Sequence, residues 1–273
     1  MSGAGSDDYI LGTDPIELER LRFQHSVWAE DLRAGCRRAG IGPGASVLDL
    51  GCGPGFTSME IAEVVGPGGS ILACDKSAAF LEFLRTEAAR RGPPPIGTRA
   101  GPLEDLDLPP ASFDAACARW ILCWLPRPEA VLERTAAALR PGGRILVQDY
   151  VDWGSMRLLP RNAAFDRGIA ACLAHWRKAG IEVNVMERIP ALAAAAGLEV
   201  RSLHPLVRFA RPGSPEWKWV TTFLLGYLPH VVADDTLAAA GFGAFRDAVA
   251  ERETSGEGWF ATPAMAEAVL QKG

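Results

Sequence analysis

The sequence has little of what metal-centred or hydrolytic chemistry requires. Its four histidines, His25, His175, His204 and His230, are scattered without ligand spacing. Six cysteines, Cys36, Cys52, Cys74, Cys117, Cys123 and Cys172, include no C-x-x-C pair, and several fall in apolar runs. That pattern argues for buried free thiols and against a zinc site or a disulfide framework, so no metal is expected. No carboxylate pair or Ser/His/Asp arrangement favours hydrolysis. No stretch approaches the ~18 to 20 apolar residues that cross a bilayer, and the opening MSGAGSDDYILG lacks the basic region and apolar core of an export signal. The expectation is a cytoplasmic protein with no membrane partner. With 28 basic and 33 acidic residues the net charge is −5, and no run of one sign suggests a nucleic-acid surface.

What is present is a 273-residue chain with 48% apolar and 22% charged residues, ample for a continuous core. Residues 46–60, SVLDLGCGPGFTSME, carry the strongest pattern. Val47, Leu48 and Leu50 suit a buried strand. Gly51, Gly53 and Gly55 alternate through a turn, and Phe56, Met59, Ile61, Ala62 and Val65 then recur as one face of a helix. Glycines without a Cβ let a ligand approach the backbone, where the free N–H groups of a first helical turn face it. A dinucleotide turn, G-x-G-x-x-G/A, would place a small residue where Phe56 stands. Asp49 would also repel a pyrophosphate. An acid there suits a ligand with an ammonium group.

DLGCGPG, at residues 49–55, resembles motif I of the class I S-adenosylmethionine-dependent methyltransferases. Companion segments stand at the spacings of that family: SILACD at 70–75, SFDAACARWILCWL at 112–125 and LRPGGRILVQDY at 139–150. The resemblance implies an α/β fold: a Rossmann-like, doubly wound, mostly parallel seven-stranded sheet with an antiparallel last strand and a helical cap. It implies S-adenosylmethionine as cofactor, with Asp49, Gly51 and Gly53 around its amino-acid half. Asp75 would take the ribose hydroxyls by charge-assisted hydrogen bonds, and Lys76 or Ser77 would touch adenine through its backbone. Relatives carry an adenine-reading acid where this chain has Pro102; Leu103 by its backbone, with Glu104 or Asp105, would serve instead. Arg119 would meet the cofactor carboxylate or an acidic substrate. The segments YILG and ELERLRFQ resemble an N-terminal lid of small-molecule methyltransferases, with Tyr9 and Gln24 over the cofactor.

Strand and helix patterns alternate from residue 41 to 150, as expected for a mostly parallel sheet that binds ligands beyond its strand ends. Residues 1–40 read as a helical lid, interrupted near His25. Residues 151–273 complete the core and insert cap helices at about 152–180 and 212–253, with a break at Pro229. Trp28, Trp120, Trp124, Tyr150, Trp153, Trp176, Trp217, Trp219 and Tyr227 fall in lid-like segments or at strand exits, and would wall a flat or partly apolar acceptor. His175 is the candidate proton acceptor and acceptor-site residue, and Tyr150 the candidate for orienting the acceptor. The expected activity is methyl transfer to oxygen or nitrogen of a small molecule by a monomer or homodimer without nucleic acid. A protein or nucleic-acid methyltransferase, a non-catalytic cofactor-binding scaffold and a nicotinamide oxidoreductase are the alternatives.

Overall fold

The computed structural model describes residues 15–273. Its main sheet is built from β1 (Ser46–Leu50), β2 (Ser70–Asp75), β3 (Ile96–Ala100), β4 (Phe113–Arg119), β5 (Leu139–Asp152), β7 (Leu198–Leu206) and β10 (Ala264–Lys272). The strand order is β3-β2-β1-β4-β5-β10-β7, with β10 antiparallel to both its neighbours. This is the seven-stranded, mostly parallel arrangement expected. Leu50 stands level with Cys74 of β2 and Ala118 of β4. The residues that follow those three, Gly51, Asp75 and Arg119, therefore emerge at one edge of the sheet.

The central strands are apolar on both faces because both faces are covered by helices. On one side Val47, Ala73, Ala115, Cys117 and Leu146 pack with Leu32 and Cys36 of α1 (Pro15–Ala39), Ile61 of α2 (Phe56–Val65) and Leu84 of α3 (Ala78–Arg91). On the other, Leu48, Leu50, Ala116, Ile145 and Val147 meet Val131 and Leu132 of α4 (Pro128–Ala138), with Leu192 of α6 (Ile189–Ala195). The core beyond them takes in α5 (Ala163–Lys178), α7 (Pro215–Ala233) and α8 (Ala239–Ser255). Alternate residues of one strand thus feed two separate cores.

Buried charge fastens α1 to the sheet. Glu267 of β10 is fully buried and accepts hydrogen bonds from Arg38 Nε at 2.6 Å, Arg38 Nη2 at 3.0 Å and Gln148 Nε2 at 2.9 Å. Gln148 also reaches the Asp31 carbonyl, 3.1 Å away. α1 can lie this close because its contact residue is Gly35, whose absent Cβ would stand 3.0 Å from both Gln148 Nε2 and Leu146 Cδ1.

Three local expectations are corrected. α1 continues unbroken through His25. β5 runs on to Asp152, so the segment expected to be helical opens as strand, followed by a turn at Trp153–Ser155 and β6 (Arg157–Leu159). α7 passes through Pro229 without a break, because the residue sits on an exposed face in the last turns; only its missing N–H is lost to the helix. A second sheet of β6, β9 (Trp259–Ala261) and β8 (Phe209–Ala210) was not apparent in the sequence. Among the described residues no helix is long and apolar enough to cross a membrane.

Candidate active site

The sequence of β1 leads directly into a turn in which Gly51, Gly53 and Gly55 all have positive φ, at 65°, 52° and 85°. The turn is held by backbone hydrogen bonds to β2 and within itself: Cys52 N–H donates to the Cys74 carbonyl at 3.0 Å, and Gly55 N–H to the Cys52 carbonyl at 2.9 Å. Asp75 closes it from β2. One carboxylate oxygen accepts Gly53 N–H and the other accepts Ser77 N–H, both at 2.8 Å. Burial raises the Asp75 pKa against the lowering effect of those hydrogen bonds.

Asp49 lies behind the turn, 1% exposed, and accepts the Ser58 hydroxyl from the start of α2. Burial, with a smaller contribution from Asp75, pushes its pKa up to about 7 against the Ser58 hydrogen bond. It braces the turn from the inside and is not part of the cavity wall. Gly51 and Gly53 differ as well. A Cβ on Gly51 would stand 2.6 Å from Ile121 Cδ1 and 2.8 Å from Ile121 Cβ, whereas one on Gly53 would meet nothing within 4 Å among the described residues. Gly51 is therefore required by the packing of Ile121, and Gly53 is the glycine that borders open space.

That space is a cavity of about 550 Å³ at the C-terminal edge of the sheet. At one end stand Gly51, Gly53, Asp75, Lys76, Leu103 and Glu104; elsewhere Gln24, Arg119, Trp120, Trp124, Tyr150 and Trp153 contribute to its wall. All twelve belong to the set expected from the sequence. Glu104 is 7% exposed, and its Oε1 is buried without a hydrogen-bond partner among the described residues. Asp105 is corrected: it points outward, 3.8 Å from Arg127, because the short turn Leu103–Asp105 sends successive side chains in different directions.

Arg119 is not at the surface. At 6% exposure its Nη2 donates to the Trp28 carbonyl at 3.1 Å, and its guanidinium lies 4.1 Å from the centre of the Trp120 ring. Its Nε has no hydrogen-bond partner among the described residues. Burial lowers its pKa to about 10, so it remains a cation at neutral pH.

Six further expectations are corrected or fall outside the structure. His175 is absent from the wall: its Nδ1 lies 2.8 Å from the Tyr227 hydroxyl, in a contact between α5 and α7. Tyr227 is consumed in the same contact and is 1% exposed. Trp28 and Trp217 are core residues at 1% and 0% exposure, the latter donating its indole N–H to Glu253 at 2.7 Å. Tyr9 lies outside the described residues. Of the other expected aromatics Trp219 stands in the wall, whereas Trp176, at 1% exposure, does not; the wall also gains Arg20, His25, Met156, Ile181 and Phe223. Only the helical spacing of α1 carried a signal for the first two; the others depend on how α7 and the β5–α5 connection pack.

The chain as a whole is similar to known proteins. A family model described as "Methyltransferase domain" matches residues 47–143. Nocamycin O-methyltransferase of Saccharothrix syringae is 30% identical over 226 residues, covering 76% of this chain and 79% of the relative. Among solved structures, geranyl diphosphate methyltransferase in complex with GPP and sinefungin aligns with a TM-score of 0.54 at 17% identity, over 91% of this chain and 77% of that one. The [4+2]-cyclase SpnF aligns with a TM-score of 0.58 at 20% identity, over 89% of this chain and 80% of that one. The coverage of the O-methyltransferase relative, together with the strand order and the glycine turn, leads to one conclusion: the chain belongs to the class I S-adenosylmethionine-dependent methyltransferase family.

Proposed function

We propose that this methyltransferase acts on an oxygen or nitrogen of a small, flat and largely apolar acceptor. The observation that carries the reading is the composition of one continuous cavity wall: the glycine turn and Asp75 on one part, and Trp120, Trp124, Trp153, Trp219 and Phe223 on another. S-adenosylmethionine supplies a methyl group on a sulfonium cation. Two buried atoms without hydrogen-bond partners among the described residues match its polar ends. Glu104 Oε1 is an acceptor suited to the adenine amino group, and Arg119 Nε is a donor suited to the amino-acid carboxylate. Asp75 retains lone pairs for the ribose hydroxyls, with Lys76 and Leu103 beside adenine. Gly53 leaves room for the methionine portion, and Gln24 closes over it from α1.

The chain's remaining task is to hold the acceptor in line and keep water away. Trp153 and Phe223, in edge-to-face contact with ring centres 6.3 Å apart, form one aromatic corner of the wall against which a planar body would pack. Tyr150 orients its nucleophile. An open cavity of this size beside an intact glycine turn favours catalysis over a non-catalytic scaffold, and Phe56 beside the turn disfavours a nicotinamide dinucleotide.

Calorimetry with S-adenosylhomocysteine and with NAD tests the cofactor end; preference for NAD would sink the reading. A metabolite screen for a gain of one methyl by mass spectrometry tests the acceptor end. Trp153→Ala should weaken acceptor binding by about tenfold or more while leaving S-adenosylhomocysteine affinity within about twofold. Equal losses in a folded variant would remove Trp153 from the acceptor site.

A further inference from the structure

His25 lines the cavity wall, yet both of its ring nitrogens are engaged by protein side chains. Nδ1 is 3.3 Å from Arg119 Nη1, and Nε2 is 3.3 Å from Glu60 Oε2. A guanidinium has only donors, so Nδ1 must be the accepting nitrogen. The proton then resides on Nε2 and is donated to the Glu60 carboxylate, which fixes the tautomer. Burial first, then Arg119 and Arg33, drive the His25 pKa down to about 3. The contact with Glu60 is accordingly a hydrogen bond from a neutral ring, not an ion pair. It also follows that His25 cannot accept a proton from a substrate at neutral pH without breaking one of these bonds.

Glu60 is itself fixed. It sits on α2, one turn beyond the glycine loop, at 9% exposure, and its other oxygen accepts Arg33 Nε from α1. The groups facing His25 are therefore Glu60 and Glu63 of α2, Arg33 of its own helix and Arg119 of β4, with the Phe56 ring 6.2 Å away. Arg119 Nη2 donates to the Trp28 carbonyl of α1, which holds the other arm of the guanidinium. Trp120 covers one face of it at 4.1 Å. Clamped on these sides, the guanidinium has its Nε–H left without a partner among the described residues. A buried cation with a spare donor is costly unless an anion completes it.

We propose that His25, backed by Glu60, is a positioning residue that aims the Arg119 guanidinium at the carboxylate of the cofactor's amino-acid moiety, making α1 part of that subsite. The inference rests on the reading of the cavity as an S-adenosylmethionine site. It makes cofactor affinity depend on α1 through a defined chain, Glu60 to His25 to Arg119 to ligand carboxylate, each link spanning a different element. It also predicts that the dependence is selective for ligands that carry the carboxylate.

The test uses the full-length protein and calorimetry with two ligands, S-adenosylhomocysteine and 5′-methylthioadenosine, which keeps the nucleoside but lacks the amino acid. His25→Leu removes both bonds; it should weaken S-adenosylhomocysteine by about tenfold or more and methylthioadenosine by less than about twofold. His25→Gln, which can still accept from Arg119 and donate to Glu60, should recover most of the loss. Thermal unfolding of each variant separates this effect from misfolding. If His25→Leu weakens both ligands alike, or if Gln restores nothing in a folded variant, the positioning role is overturned. Unchanged affinity for both ligands would show that His25 does not govern the carboxylate subsite and overturn it equally. Failure of the wild-type protein to bind S-adenosylhomocysteine would instead strike the cofactor reading itself.

Discussion

Two alanine substitutions, Gly51→Ala and Gly53→Ala, should separate what the glycine turn does for stability from what it does for binding. Both glycines have positive φ, so each alanine pays roughly 1–2 kcal/mol for a left-handed backbone. Among the described residues, only at residue 51 does the new methyl also meet a neighbour, with Ile121 Cδ1 at 2.6 Å and Ile121 Cβ at 2.8 Å. Ile121 Cβ is not a flexible tip, so accommodation requires movement of the backbone after β4, at about 1–3 kcal/mol for overpacking. The expected losses are therefore about 2–5 kcal/mol for Gly51→Ala and about 1–2 kcal/mol for Gly53→Ala. Binding should rank the other way: the Gly53 methyl projects into open cavity, where it would exclude the ligand and lower S-adenosylhomocysteine affinity by about tenfold or more. Urea denaturation with constant m measures the first quantity and calorimetry the second. In a double-mutant cycle, Ile121→Ala should recover the overpacking part of the Gly51→Ala loss. An absence of coupling between residues 51 and 121, or an equal stability loss at both glycines, would refute the packing argument.

Other groups give sharper chemical readouts. Glu104→Gln presents an amide in place of a pure acceptor, so it should lower the preference for S-adenosylhomocysteine over its inosyl analogue by about tenfold or more. Unaltered preference would remove Glu104 from the adenine edge. Asp49 has an ordinary carboxylate pKa of 3.8 and a folded value of about 7. Between those values the folded protein holds a proton that the unfolded chain has released, so stability falls as pH rises through this window, by on the order of 4 kcal/mol. Asp149, fully buried and raised to about 6, slopes in the same direction. Asp49→Asn should flatten the decline in urea-denaturation stability between pH 4.5 and 7.5, and an unchanged slope would show that Asp49 is not its source.

The fold was legible wherever local backbone chemistry repeats. Val47, Leu48 and Leu50 had to be buried on both faces, and alternating strand and helix signals over residues 41–150 allow few topologies. The small β6-β9-β8 sheet left no comparable trace, since β8 has two residues and the other two strands three each. Pro229 misled for a physical reason: proline costs a helix one donor, which an exposed turn near the end of α7 tolerates. His175 beside Trp176 looked like a cap residue able to face substrate. At helical spacing, however, periodicity identifies an apolar face without saying which neighbour covers it, and here α7 does so through Tyr227.

The site divides along the same line. Gly51, Gly53 and Asp75 were readable because a tight turn and a strand end constrain residue type locally. His25, Glu60 and Arg119 were not readable as a unit, being separated by 35 and 94 residues from His25 to its two partners. No local preference calls for a histidine at residue 25; its value appears only when α1 is laid across the sheet edge. That placement is set far from the cavity, by Gly35 and the buried Arg38–Glu267 pair. A close helix–sheet approach at residue 35 fixes the helix axis, and ten residues earlier, slightly less than three turns, the same axis brings His25 to Arg119. The electrostatics of the cavity are therefore written partly in packing residues that never touch it.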